Sequence, residues 1–283
     1  MDGSASTRVI NALTVDVEEH FHATAFASAI DRSAWDGIDS RVERNTQRLL
    51  DLFAARGVRG TFFCLGWVAK RSPGLIRAIH AAGHEVACHG LEHQLVYQQS
   101  PALFREETRE AKQRLEDTSG AAVIGYRAAS YSITGKSLWA LDVLADLNFA
   151  YDSSIFPIRH DLYGMPGSPR FPYRVANNRL LEVPITTIEC LGTRLPCGGG
   201  GYFRLIPYQL FRWALRRVNL RDRQPAVFYT HPWEIDAAQP RVTNAPLRSR
   251  LRHYTNLGRV ESRLSRLLAD FSWGRMDAVF RVT

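Results

Sequence analysis

Apolar residues fall along the chain in short continuous runs, which alternate with longer segments in which apolar residues recur at helical spacing. The run over 9–17 predicts a first strand, and the periodic segment over 41–56 predicts a helix that ends at Gly57. The same reasoning predicts further strands over 60–66, 84–90, 122–129, 149–154, 180–187 and 225–235, and further helices over 73–83, 101–120, 135–148 and 207–219. Strand and helix alternate about seven times, which is typical of a parallel α/β fold, either a closed barrel or an open doubly wound sheet.

Both architectures place chemistry in the same region, because their active sites gather at the carboxyl ends of the strands. No G-x-G-x-x-G motif follows the first predicted strand, so a dinucleotide-binding fold lacks its main sequence support. The glycine run over 198–201 lacks the Lys-Ser/Thr of a phosphate-binding loop, and we interpret it as a flexible lid or a turn.

The length of 283 residues suits one large α/β domain or two smaller ones, and 45% apolar with 23% charged residues is an ordinary globular composition. Residues 1–20 lack the basic start and apolar core of a secretory signal, and no window approaches about 18 uninterrupted apolar residues. For a complete chain these features predict a cytoplasmic location and no transmembrane segment. The cysteines form no CxxC pair and are expected to be reduced, mostly buried thiols (Cys64, Cys88, Cys190 and Cys197).

Lysine and arginine exceed aspartate and glutamate by eight (36 against 28), and much of the excess is arginine within 204–266. Two interpretations are open. The arginines could attract an anionic partner, such as an acidic glycan, a lipid-linked precursor or nucleic acid, or they could form a solvated surface. The solvated surface is favoured. A nucleic-acid partner is not expected, because no basic-aromatic binding motif accompanies the charge.

Four histidines within 80–93 (HAAGHEVACHGLEH) form two pairs, each with a spacing of four residues. His80 lies inside a predicted helix and His84 opens the next strand, so both are interpreted as structural. His89 and His93 straddle the end of that strand, where a catalytic group is expected. Gly90 occupies the position of the glutamate in the HExxH helix motif, so a general base must come from elsewhere.

Two carboxylates complete a candidate metal site with this second histidine pair. Side chains alternate along a strand, so Asp16 and Glu18 at the end of the first strand point to one face. Buried carboxylates are costly unless they bind a metal or serve a reaction. His89, His93 and one carboxylate form a ligand set for Zn²⁺ or a similar divalent ion, and Asp16 is then available as the base. Glu19 falls out of phase and is expected to face solvent.

Three further polar residues lie at predicted strand ends, namely Arg127, Asp152 and His231. Each also has a structural interpretation. Arg127 could be an ion-pair residue, Asp152 a helix cap before Ser153 and Ser154, and His231 a packed histidine.

Five short motifs occur in order along the chain: TVDVE (14–18), HGLEH (89–93), RAASY (127–131), YDSS (151–154) and THP (230–232). On these motifs the sequence resembles the NodB-homology polysaccharide deacetylases, carbohydrate esterase family 4. GGGYFRLIPY (199–208) and the arginine-rich tail through FSWGRM further resemble the deacetylases encoded with exosortase/PEP-CTERM exopolysaccharide loci. The resemblance implies a distorted barrel of the (β/α)7 type in a single domain over 1–283, with 232–283 as a C-terminal extension packed on the barrel.

The resemblance also implies an activity, metal-dependent removal of N-acetyl groups from an N-acetylated sugar of a polysaccharide or its precursor. Position by position, Asp16 matches the catalytic base and Arg127 the arginine that holds it. His231 matches the general acid, and Asp152 the carboxylate that sets the protonation of that histidine.

For the metal, the resemblance matches His89 and His93 to the two ligand histidines of an ion expected to be Zn²⁺. Val17 stands where the family usually has a second aspartate, so the third ligand is either Glu18, which strand alternation selects, or Glu19. A backbone N–H near Ser130 or Tyr131 is the expected oxyanion donor, although Ala129 replaces a usual proline in that motif.

Aromatic residues near the motifs are candidates to stack against sugar rings, and ordinary packing explains them equally well (Tyr131, Phe156, Tyr202 and Trp233). Two other functions stay open, an amide hydrolase of the same fold acting on a small ureide, and a catalytically inactive glycan-binding module. Contact with an exopolysaccharide assembly machinery is a further expectation from the resemblance.

Overall fold

The computed structural model describes residues 9–160 and 163–282. Its strands are β1 (Ile10–Val17), β2 (Thr61–Cys64), β3 (Glu85–Cys88), β4 (Gly125–Tyr126), β5 (Tyr151–Asp152), β6 (Tyr173–Val175), β7 (Leu180–Glu182), β8 (Thr187–Cys190), β9 (Thr193–Pro196), β10 (Val227–Thr230) and β11 (Ser272–Gly274). Its α-helices are α1 (Val42–Ala55), α2 (Gly66–Arg71), α3 (Pro73–Ala81), α4 (Pro101–Ser119), α5 (Trp139–Asp146), α6 (Gly200–Leu205), α7 (Tyr208–Arg217), α8 (Leu247–Tyr254), α9 (Val260–Asp270) and α10 (Met276–Phe280).

Seven parallel strands form the centre of the fold, in the order β10-β1-β2-β3-β4-β5-β7. They correspond to the seven predicted strands, and the α/β prediction is confirmed. β2, β3 and β10 are buried along their whole length, as expected for parallel strands covered on both faces. The sequence did not predict the short β6, which pairs antiparallel with β7, or the β8–β9 hairpin.

The segment between β7 and β10 bridges the two ends of this row of strands. The Val227 N–H donates to Thr186 Oγ1 at 2.6 Å, and the Tyr229 N–H donates to the Gly198 carbonyl at 2.7 Å. Side-chain and loop contacts thus replace a regular strand pair, which distorts the barrel. The predicted lid or turn at 198–201 is a close backbone approach, because a Cβ on Gly199 would lie 1.9 Å from the Tyr229 carbonyl oxygen.

The C-terminal segment is joined to this barrel through both its sheet and its core. β11 pairs in parallel with β1, placing Ser272 opposite Ile10. α9 buries Leu264 and Leu267 in the main hydrophobic core. In the part of the chain that the structure describes, no helix has the length and apolar composition needed to cross a membrane, and the four cysteines are free.

His84 is one residue whose environment makes the fold sensitive to acid. Its Nδ1 accepts a hydrogen bond from the Gly60 N–H at 3.0 Å, and its ring packs against Phe62. Burial, assisted by the charge of Arg59, lowers the pKa of His84 from 6.5 to about 4. Between these two pH values the unfolded chain binds a proton at His84 that the folded chain does not, so stability is lost as the pH falls through this window.

We therefore expect the unfolding free energy of His84→Gln to fall less steeply than that of the wild type between pH 7 and pH 4.5. The difference in slope should correspond to the uptake of up to about one proton on unfolding. Urea unfolding at a series of pH values measures this slope. His80→Gln is the matched control, because His80 is exposed on α3 and should leave the slope unchanged. Equal slopes for wild type and His84→Gln would contradict the assigned role of His84.

Candidate active site

A pocket of about 640 Å³ opens at the carboxyl ends of the central strands. β1 supplies Asp16 and leads into Glu18, while the segments after β3 and β10 supply histidines. Ionisable residues from all three segments line the pocket (Asp16, Glu18, His89, His93 and His231), together with Tyr131 from the segment after β4. The predicted site residues of the first, third and last strands are therefore together, as parallel strands require.

Glu18, His89 and His93 converge on a single point of the pocket floor. One atom from each lies within 4.8 Å of the others, and all three side chains are buried. Glu18 Oε2 is 2.7 Å from His93 Nε2 and 3.8 Å from His89 Nε2. Two imidazole nitrogens and one carboxylate oxygen at these distances can hold a divalent ion.

The neighbours of these three residues leave the ligand atoms available. The Arg127 carbonyl lies 2.8 Å from His89 Nδ1, which directs the other ring nitrogen, Nε2, toward the pocket. Trp233 Nε1 donates to Glu18 Oε1 at 3.0 Å, while the buried Glu18 Oε2 faces the two histidine rings. Burial alone would raise the pKa of Glu18, but its interactions with His93, His231 and His89 outweigh burial and lower that pKa. The site fits a cation.

Glu19 has a structural role, which decides between the two candidate glutamates. Its Oε1 accepts hydrogen bonds from Ser40 Oγ at 2.6 Å, from the Arg41 N–H at 2.7 Å and from the Val42 N–H at 2.9 Å. The carboxylate thus caps the start of α1, where the helix dipole favours negative charge. The expectation that Glu19 faces solvent is wrong, because its side chain is 1% exposed. Side chains of successive residues point in opposite directions, so Glu19 points away from Glu18 and toward the start of α1.

Asp16 is held beside the ligand set by a buried arginine. Arg127 Nη1 donates to Asp16 Oδ1 at 2.7 Å and lies equally close to Thr14 Oγ1. Arg127 is fully buried, and its Nε and Nη2 are engaged by Ser153. Asp16 Oδ2 faces His231 Nε2 at 3.9 Å. A guanidinium at this distance fixes the orientation of the Asp16 carboxylate.

His231 stands between the pocket and a second buried ion pair. Its Nδ1 lies 2.7 Å from Glu234 Oε1, and Glu234 Oε2 lies 2.8 Å from Arg204 Nε. Its Nε2 faces the pocket, 3.8 Å from Glu18 Oε1. Burial alone would lower the pKa of His231, but the negative charges of Glu18, Glu234 and Asp16 raise it to about 9. His231 is therefore protonated at neutral pH.

Asp152 does not take the predicted position beside His231. It stands opposite Glu182 in the β5–β7 pairing, and its Oδ1 accepts from Ser154 Oγ at 2.5 Å. Burial raises the pKa of both Asp152 and Glu182, and the two neighbouring carboxyl groups interact with each other rather than with His231. Both ring nitrogens of His231 face other carboxylates, and Glu234 is the one that holds Nδ1. The signal for Glu234 was its position three residues after His231 in the motif THPWE.

Ser130 and Tyr131 form a strained turn on the pocket wall, with φ angles of 49° and 55°. Ser130 Oγ is 2.6 Å from Thr24 Oγ1. The Tyr131 N–H already donates to the Ala128 carbonyl at 3.1 Å, so it is not free as an oxyanion donor in this conformation. The Tyr131 hydroxyl is buried without a partner among the described residues, and burial raises the pKa of this phenol.

The aromatic candidates separate into pocket and core residues. Trp233 is 6% exposed, and its ring stacks on His231 and His253 at 4.9 and 4.2 Å. Trp233 also lines the pocket, so its role in stacking against sugar stays a prediction. Phe156 is buried in the core. Tyr131 and Tyr202 line the pocket.

Comparison with known proteins finds a separate family match in each half of the chain. Residues 30–150 match the family described as polysaccharide deacetylase, and residues 153–281 match a domain of unknown function, DUF3473. A chitooligosaccharide deacetylase of Bradyrhizobium sp. (strain ANU 289) is 33% identical over 100 residues, which are 35% of this chain and 43% of that protein. The chain thus spans less than half the length of this curated relative.

Two solved structures share the fold over nearly the whole chain. A putative polysaccharide deacetylase from Mycobacterium smegmatis superposes with a TM-score of 0.65 at 20% identity, covering 100% of this chain and 92% of that one. The Puue allantoinase superposes with a TM-score of 0.60 at 16% identity, covering 97% and 89%. The family match over residues 30–150, the curated relative and the ordered motifs agree, so the first half of the chain is similar to polysaccharide deacetylases.

Proposed function

We propose that this protein is a metal-dependent hydrolase that removes N-acetyl groups from an N-acetylated sugar of a polysaccharide or its precursor. The observation that carries the proposal is the arrangement of Asp16 and His231 beside the convergent set Glu18, His89 and His93. A base, an acid and a cation site in one pocket are what amide hydrolysis requires.

Glu18, His89 and His93 would hold the ion, which we propose to be Zn²⁺ because two imidazoles and a carboxylate suit it. When bound, such an ion lowers the pKa of water and polarises an acyl carbonyl. The chain supports it with the Arg127 carbonyl on His89 and the Trp233 N–H on Glu18. These contacts fix the direction of two of the three ligands.

Asp16 is the proposed base. Its carboxylate is oriented by the Arg127 guanidinium, and the oxygen that Arg127 does not bind faces His231 across the pocket. In hydrolysis this oxygen takes a proton from the attacking water. Arg127 is a positioning residue, since its own donors are bound to Asp16, Thr14 and Ser153.

His231 is the proposed acid. An amine leaves an amide carbon only when it is protonated, and His231 carries its proton on the side that faces Asp16 and Glu18. Glu234 holds the opposite nitrogen and stabilises the imidazolium. Water and amide are consumed, the C–N bond breaks, and acetate and a free amino sugar are the products.

The developing oxyanion and the sugar need further partners from the pocket wall. Of the two expected donors, the Ser130 region remains the proposed source of a backbone N–H, and the unpartnered Tyr131 hydroxyl is an additional donor. One such donor typically contributes about 3 kcal/mol to the transition state. Tyr202 and Trp233 line the pocket and are proposed to stack against sugar, and the pocket volume lies in the usual range for ligand sites.

A second candidate activity is hydrolysis of a small ureide-like amide, because the structural likeness includes an allantoinase. The chemistry of the base, acid and cation site would be the same. Acetate release from N-acetylhexosamine oligomers, compared with the consumption of ureides, separates the two. The oriented base Asp16 and the acid His231, both beside the cation site, argue against an inactive glycan-binding module. We propose an exopolysaccharide as the source of the glycan, on the resemblance of the C-terminal extension.

Asp16→Asn should lower kcat by about 10²–10⁴-fold in the zinc-loaded protein, because Asn cannot accept the proton. Acetate release from an N-acetylated chitooligosaccharide measures the rate, and atomic absorption should show unchanged zinc content. Asp142→Asn, at an exposed position on α5, is the matched control and should keep wild-type activity. Full activity in Asp16→Asn would remove Asp16 from the mechanism.

Glu234→Gln should move the alkaline limb of the kcat/KM profile to lower pH, by about one pH unit. The reason is that the negative charge of Glu234 raises the pKa of His231, and activity is lost when the acid deprotonates. The pH profile of acetate release measures the shift, with thermal unfolding as the check on folding. Asp152→Asn should leave the limb in place. A shift in Asp152→Asn but not in Glu234→Gln would restore the role that the sequence predicts for Asp152.

A further inference from the structure

Helix α8 forms part of the wall of the catalytic pocket and brings arginines to it. Arg248, Ser249 and Arg252 line the same pocket as Asp16 and His231. Arg248 and Arg252 are four residues apart, so they lie on one face of the helix. They belong to the arginine-rich region over 204–266, which the sequence alone interprets as a solvated surface.

The structure divides these arginines into different environments. Arg204 is 3% exposed and paired with Glu234, so its charge is used inside the site. Arg263 donates to backbone carbonyls of the segment 203–206. Arg248 and Arg252 are exposed at the pocket wall. The interpretation as a solvated surface therefore does not hold for Arg204.

The two α8 arginines, Arg248 and Arg252, have no carboxylate partner within residues 9–160 and 163–282. Arg248 has no hydrogen bond or ion pair with a described residue. Arg252 Nη2 lies 3.1 Å from His160 Nε2 and 3.3 Å from Tyr163 Oη, and these two rings stack on each other at 3.7 Å. The contacts orient the Arg252 guanidinium at the pocket wall without neutralising it.

The carboxylates on the pocket lining are already engaged elsewhere. Asp16 is bound by Arg127, and Glu18 is bound by Trp233 and lies against His93. The α8 side of the pocket therefore has positive charge from two guanidiniums that repel each other across one helical turn. An anionic group on a ligand would relieve this repulsion, and the planar guanidinium matches carboxylate and phosphate oxygens in geometry.

We propose that the substrate of this pocket is an acidic N-acetylated glycan, whose carboxylate or phosphate is bound by Arg248 and Arg252 while the N-acetyl group lies at Asp16 and His231. This inference rests on the proposed deacetylation and narrows its substrate class. The two arginines determine specificity and take no part in bond breaking.

The kinetic test compares substrates that differ in charge. The zinc-loaded wild type should deacetylate a tetrasaccharide of alternating N-acetylglucosamine and glucuronate with a kcat/KM at least about tenfold above that for tetra-N-acetylchitotetraose. N-acetylglucosamine 1-phosphate is the substrate that presents a phosphate. A preference for it or for the glucuronate tetrasaccharide shows which of the two anionic groups the arginines bind. The double variant Arg248→Gln/Arg252→Gln should lose the preference, so that its kcat/KM values for the acidic and the neutral oligomer become equal. Arg250→Gln, whose guanidinium binds the Thr243 carbonyl outside the pocket lining, should retain it.

A binding measurement separates this inference from the proposed activity. Calorimetric titration of zinc-loaded Asp16→Asn should show tighter binding of the acidic than of the neutral tetrasaccharide, with the difference abolished by the two arginine substitutions. Anion-dependent binding by Asp16→Asn, with no acetate release by the zinc-loaded wild type, would overturn the proposed deacetylation and leave the anion subsite supported. Acetate release with equal binding and equal rates for neutral and both anionic ligands would overturn the subsite alone.

Discussion

Mutual neutralisation of buried charges in one pocket is the constraint on which the rest of this structure depends. Parallel strands bring their carboxyl ends to one edge, and here that edge collects two carboxylates and three histidines, all nearly inaccessible apart from the half-buried His231. Removing such groups from water costs free energy unless each finds an opposite charge or a hydrogen bond. Arg127 balances Asp16, Glu234 balances His231, and Glu18 faces two imidazoles that match a cation.

The second half of the chain is part of this balance. The region that matches a domain of unknown function, 153–281, contributes His231 and Glu234 and also the Trp233 N–H that binds Glu18. Arg204 from the same region completes the buried pair with Glu234. The segment matched to the deacetylase family, 30–150, supplies His89, His93 and Arg127, and Asp16 and Glu18 precede both matched segments. Neither matched segment contains the whole site.

Local periodicity predicts those features that depend on a single element. Strand alternation was enough to place Asp16 and Glu18 on one face, and strand-end position was enough to select His89 and His93 over His80 and His84. The seven parallel strands follow from the alternation of strand and helix. Each of these conclusions requires only the direction of side chains along one segment and the rule that parallel strands share an edge.

The residues that the sequence misassigned depend on how separate elements pack. Glu19 was expected in solvent because the position of the α1 start against β1 cannot be read from either segment. Asp152 was assigned to His231, whereas the β5–β7 register pairs it with Glu182.

The convergence of Glu18, His89 and His93 on one cation is the central claim, and anomalous diffraction tests it most directly. Crystals grown with zinc and measured on both sides of the zinc edge should show a single strong peak within the pocket. We expect that peak at about 2.0–2.2 Å from Nε2 of both histidines and from a Glu18 oxygen, with Asp16 close by but not coordinated. A pocket without a peak under zinc-saturated conditions, or a peak bound by other residues, would contradict the account.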